Sequence, residues 1–378
     1  MEGTGEVQTQ KRNPSFELLR IIAMLMIITL HFNTHSDALL QLGLPARGSQ
    51  IFAAVIQAFC IPGVNTYILI SGYFLSKGKV KPSRILQLIC QVYFYTILVS
   101  VAMMIVGTYV LQSNNSVYKL AQYVFPISSE HYWFVTAYVI MYILAPVMNA
   151  AAEKLSRKQL KAVIIGLLIW FSVIKSFVPV VLATDRYGYD FGWFICLYLI
   201  AAYIRKYDVS LFYDATRSAL VYLISCGIIA TMSISLYYIN LNWGGLVHYS
   251  TVPYHFNFIF TLTASLGLFS FFRFYKMRED RAADVVRAIG PLTFGVYLLH
   301  MHEEIKDRWV EWLEHFIGEI PYHSVPLFAW HALLSVLIVF VAGIFVDWIR
   351  KMIFEYVGRV LHDTWLFKKI RELDEALC

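Results

Sequence analysis

Arg20 and His31 stand eleven residues apart in the first apolar run, R20-IIAMLMIITL-H31. At about 100° per residue, that step returns to within roughly 20° of the starting face and advances about 16 Å. One helix would therefore carry a guanidinium and an imidazole on the same stripe, one near each membrane surface. Ionisable side chains inside a membrane span are costly to insert and mark functional sites by default. A guanidinium can hold a phosphate, and a neutral imidazole can take a proton from a hydroxyl. The plainer reading is an Arg that snorkels to the interface and a His that closes the helix. Glu17, one turn before Arg20, is an available ion-pair partner.

The elements that must position this pair are membrane spans. Of the 378 residues, 58% are hydrophobic and 15% charged, where a soluble domain carries nearer 25% charged residues; the mean hydropathy is +0.59. Apolar runs fall at roughly 16–34, 51–75, 85–111, 132–150, 160–183, 189–204, 218–239, 251–272, 288–301 and 326–349. This pattern predicts an all-α integral membrane bundle of about ten transmembrane helices. Residues 1–15 read as a short disordered head, 16–350 as the membrane domain and 351–378 as a basic amphipathic tail. No small-residue cleavage site follows the first run, which is read as a retained anchor. The five cysteines are scattered without CxxC pairing and are expected as free thiols.

Lys and Arg in alternate connections give the orientation. One set of loops and ends holds 24 of the 31 basic residues and the opposite set holds 5, leaving Arg20 and Lys175 inside spans. The positive-inside rule then puts both termini in the cytoplasm. The net charge of +6 reports membrane orientation here and not nucleic acid.

With that topology, Arg20 lies near the cytoplasmic face and His31 near the outer face. The ninth span ends in GVYLLH and brings His300 to the level of His31. The second ends in NTYILISGYFLS, followed by K81-P-S-R84, at the cytoplasmic face. A phosphate-bearing ligand inside would meet Arg20, Lys81 and Arg84, and an acceptor outside would meet the histidines. His35 follows His31 at metal-ligand spacing, but no HExxH or nearby cysteine supports a metal site. Lys175, toward the outer end of its span, is read as a structural residue able to snorkel outward.

Five elements in this order resemble the membrane acyltransferase-3 family: Arg-x10-His, SGYFLS, the basic-x-x-basic turn, E130-H-Y-W-F134 and G290-P-L-T-F-G-V-Y-L-L-H300. They span nearly the whole apolar region. Lys81 stands where the family commonly has Arg, which keeps charge but loses bidentate phosphate geometry. The esterase-like domain of some relatives is not among these residues, so the chemistry is expected within the membrane. The resemblance implies transfer of an acyl group, acetyl first, from cytoplasmic acetyl-coenzyme A to an extracytoplasmic or lipid-linked saccharide of the cell envelope, at the plasma membrane.

On that resemblance His31 is the expected general base, with Arg20 and His300 also in the catalytic set. Arg20, Ser71, Tyr73, Lys81 and Arg84 are expected on the donor; Glu130, Trp133, Tyr297 and His300 on the acceptor. A carboxylate and an indole can hold a sugar, although Trp133 is equally an interface anchor and His300 equally a helix-end residue. The segment 302–319 reads as an amphipathic helix on the outer surface that could lid the acceptor site. No metal is expected. The alternatives are the same fold acting on an amine, amino acid or small molecule, and a multi-span transporter without catalysis. Against transport, the two halves do not repeat.

Overall fold

The computed structural model describes residues 11–78, 80–107, 116–129, 131–179 and 186–377. The first ten residues of the expected head, and Glu130, lie outside them. The described residues are helical and contain no strand. The helices are α1 (Pro14–His35), α2 (Gly48–Cys60), α3 (Pro62–Leu75), α4 (Pro82–Val106), α5 (Ser116–Val124) and α6 (Trp133–Lys154). There follow α7 (Arg157–Leu168), α8 (Ile174–Phe177), α9 (Phe191–Tyr207), α10 (Ala215–Asn242) and α11 (Ile259–Phe274). The last five are α12 (Arg281–Ile289), α13 (Thr293–His300), α14 (Trp309–Ile317), α15 (Val325–Leu361) and α16 (Trp365–Leu377).

Among the described residues, nine helical stretches are long and apolar enough to cross a membrane. The remaining expected span, the sixth at 189–204, is α9, 17 residues long and closed by Asp208 in the left-handed conformation. It packs against α3, α6 and α7, so its apolar face meets protein more than lipid. Polar caps mark several starts: Asn13 accepts from Ser15 N–H, Asp190 from Trp193 N–H and Asp214 from Arg217 N–H.

α1 is the hub, touching α2, α3, α11, α12, α13 and α15. The stretch Gly48–Leu75 is mostly buried in protein, whereas Ala215–Asn242 and Val325–Leu361 are mostly not and turn most of their apolar surface outward. The Arg20–His31 stripe therefore runs through the interior of the bundle, where charge is sheltered from lipid.

Two spans are broken where they face α1. Pro62 divides the second into α2 and α3, and a 3₁₀ turn at Gly290–Leu292 divides the ninth into α12 and α13. A Cβ on Gly290 would run into the Glu17 side chain, so this turn meets α1 closely only because the residue is glycine. Irregular backbone at membrane depth is tolerated where it lines a cavity.

The last apolar run does not end at its charged edge. α15 continues to Leu361, because charge marks a membrane boundary while nothing before His362 stops the helix. α16 then packs against α4, and its Asp374 carboxylate accepts from Ser83 N–H at 2.9 Å. Lys175 does not reach outward. It is buried, with Nζ 4.5 Å from the Tyr187 ring centre.

Candidate active site

His31 and His300 meet. His31 Nδ1 lies 2.9 Å from His300 Nε2, and His300 Nδ1 lies 2.6 Å from the Val296 carbonyl oxygen. The carbonyl can only accept, so His300 Nδ1 carries a proton and donates to it. His300 Nε2 is then the lone pair that accepts from His31 Nδ1–H. This leaves His31 Nε2 as an unprotonated lone pair, the form a general base needs. His300 is buried and stacks edge-on to Trp309 at 6.4 Å. In the segment read as an amphipathic helix, Trp309, Val310 and Leu313 turn inward and are buried, while Phe316 is exposed.

Arg20 pairs with Glu17 through a short contact, and Arg12 approaches the same carboxylate oxygen at 3.4 Å. Glu17 is buried, so this pair is structural as well as available for function. Breaking a buried pair by removing one partner costs about 3–5 kcal/mol, far more than an exposed pair contributes.

Three cavities adjoin along the stripe. The first, about 800 Å³, is lined by Arg12, Lys81, Arg84, Arg287, Arg350 and Lys351. The second, about 230 Å³, is lined by Arg20, Tyr67, Ser71, Gly290 and Thr293, and shares Arg12, Tyr138 and Pro291 with the first. The third, about 250 Å³, holds His31, Trp133, Tyr189, His255 and Tyr297. It shares Tyr67, Phe134 and Phe294 with the second, and these three form the neck between them. Tyr67 is hydrogen-bonded to Thr293, whose hydroxyl donates to the Gly290 carbonyl at 2.8 Å. The path is walled by α3, α6 and α13.

Arg20, Ser71, Lys81, Arg84, Trp133 and Tyr297 all line this path, and His300 stands directly behind His31. Tyr73 does not line it. Its ring stacks on Phe16 and its hydroxyl accepts from Arg205 at 2.8 Å, a core role. The Trp133 ring stacks on Phe256 at 5.8 Å and contacts Tyr189. His35 is 3.4 Å from Asp307. Among the described residues no group of three His, Cys, Asp or Glu could hold a metal ion.

Sequence reasoning missed Tyr67, Phe134, Thr293 and the pair Asp347–Arg350. The available signal for Asp347 was a lone carboxylate near the end of a long apolar run. Outside the spans lies a second imidazole pair, His131 and His302, with ring centres 4.9 Å apart. Burial, helped by the neighbouring His131, pushes His302 down to about 3; burial, helped by Lys306, pushes His131 down to about 4.

The family model described as "Acyltransferase domain" matches residues 13–349. No curated protein and no solved structure matches the chain. The match covers most of the chain and includes every cavity wall on α1, α3, α6 and α13.

Proposed function

Because the chain belongs to the acyltransferase-3 family, we propose that it transfers an acyl group, acetyl first, from cytoplasmic acetyl-coenzyme A to a hydroxyl of an extracytoplasmic or lipid-linked saccharide. The observation that carries this reading is the run of three adjoining cavities from a basic cluster to an imidazole with its lone pair free. With 24 of 31 basic residues on one side, the basic cavity opens to the cytoplasm of the plasma membrane and both termini lie there.

The nucleotide of the donor stays in the basic cavity, where Lys81 and Arg84 meet phosphate. The pantetheine arm extends past Arg20, Ser71 and the Tyr67–Thr293 pair. Its thioester reaches the neck at Phe134 and Phe294, on the way to His31, which stands about 16 Å along α1 from the level of Arg20. The acceptor hydroxyl enters from the Trp133 side. His31 Nε2 takes its proton as the oxygen attacks the thioester carbonyl. The tetrahedral intermediate collapses with C–S cleavage, and the proton passes from His31 to the departing sulfur, giving an ester and free coenzyme A. His300 holds His31 in the required tautomer and shares the charge of the imidazolium.

Labelled acetyl-coenzyme A supplied to membranes containing the protein tests this. Label should enter the saccharide fraction with the wild-type chain and not with His31→Ala. Label confined to lipid, protein or small amines would replace the saccharide acceptor, and no transfer at all would remove the reading.

A further inference from the structure

Two buried ionisable residues take no part in the steps above. Asp347 is 0% exposed and Arg350 is 5% exposed, both on α15. Arg350 Nε donates to Asp347 Oδ1 at 2.9 Å and Nη2 to Oδ2 at 2.6 Å, a two-point pairing. Asp347 Oδ1 also accepts from Gln91 Nε2 and Tyr95 Oη, each at 2.9 Å. Gly295 backs this carboxylate so closely that a Cβ there would overlap it. A buried ion pair of this kind roughly breaks even against apolar residues of similar volume, so stability alone gives little reason for it.

Its position gives a better one. Arg350 lines the basic cavity, and its guanidinium carbon lies 5.1 Å from the Phe354 ring centre. Asp347 uses only part of its five-donor fork. Gln91 lies seven residues, about 10 Å, beyond Arg84 along α4. Arg350 lies three residues, about 4.5 Å, back toward the basic end from the level of Asp347. The fork therefore sits deeper in the cavity than Lys81 and Arg84.

Building on the acetyl-coenzyme A reading above, we propose that Arg350, oriented by Asp347, binds the diphosphate joining the pantetheine arm to the nucleotide. Lys81 and Arg84 are left to the outer 3′-phosphate. Arg350 is a donor-binding residue and Asp347 a positioning residue. Lysine in place of Arg350 would keep the charge but lose the fork that pairs with Asp347 and phosphate together.

The test compares three donors: acetyl-coenzyme A, its 3′-dephospho form and S-acetylpantetheine, which lacks the diphosphate. Arg350→Gln should raise KM about 10–100-fold for the first two by the same factor. kcat should hold, and kcat/KM for S-acetylpantetheine should not change. Arg350→Lys should fall between. Because Arg350→Gln leaves a buried carboxylate, Asp347→Asn with Arg350→Gln provides a neutral pair and should show the same donor pattern. Equal losses on all three donors would make the pair structural only. Loss confined to the donor bearing the 3′-phosphate would reassign Arg350 to that group, and unchanged kinetics would remove it from the site. A wild-type protein unable to use acetyl-coenzyme A in any form would fail the functional reading itself, independently of Arg350.

Discussion

At one end of the path, six cations surround about 800 Å³; at the other, the imidazoles of His31 and His255 face about 250 Å³ walled by Trp133, Phe134, Tyr189 and Tyr297. The basic end is wide, and part of its charge is already engaged: Arg287 with Glu279 and Asp284, Lys351 with Glu355 at 3.8 Å. The His31 end is narrow and aromatic, and its hydrogen bonds fix a tautomer. Holding a polyanion requires many charges and tolerates water. Moving an acyl group requires few polar atoms and little water, because water competes with the acceptor for the thioester. The bundle separates these demands along one helix, with the neck at Tyr67, Phe134 and Phe294 between them.

The contrast breaks most sharply at His31. His31→Ala should lower acyl transfer by about 10²–10⁴-fold with the fold retained. His300→Phe, which cannot accept the His31 Nδ1–H, should approach the same loss. His300→Asn retains an acceptor and should keep part of the rate. Steady-state transfer in detergent, beside a thermal unfolding curve, separates these outcomes. Wild-type turnover by a folded His31→Ala protein would take the base from the aromatic end.

A smaller effect belongs to Arg20, between the two regions. Arg20→Gln should raise the acetyl-coenzyme A KM by about 10–100-fold. It should also lower stability, because Glu17 then keeps only the more distant Arg12. Arg20→Lys should recover stability more than KM, since it restores charge but not the planar fork. If the two recovered in step, Arg20 would be a structural partner of Glu17 and nothing more.

The smallest effect is one of pH and concerns the second imidazole pair. His302 and His131 titrate near 3 and 4 when folded, against about 6.5 when unfolded. Between those values the unfolded chain binds more protons, so stability rises with pH through this window and is level above it. His302→Asn and His131→Asn should flatten the slope of unfolding temperature between about pH 4 and 6.5. An unchanged slope would mean that neither imidazole is desolvated in the folded protein.

Much of this was legible in the chain. Apolar runs gave the helices, and the spacing of Arg20 and His31 gave one stripe, because both follow from local periodicity. The levels of His31 and His300 were legible too, but not their contact, since nothing in a sequence fixes how one helix is rotated against another. Gly290 and Gly295 appeared as part of a motif. Their reason, close approach to Glu17 and Asp347, exists only once α1, α13 and α15 are packed. Tyr73 misled because residues near the end of one helix share a level yet face different neighbours. Arg350 was counted with the basic residues of the cytoplasmic side because it stands at a charged edge, whereas the helix carries it inward against Asp347.

The central claim is that the acyl group crosses from the basic cavity to His31. Everted and right-side-out membrane vesicles, each given radiolabelled acetyl-coenzyme A on the external face only, test it most directly. Label should enter saccharide in everted vesicles, whose basic face is outside, and should be absent from right-side-out vesicles. Transfer in right-side-out vesicles alone would contradict it.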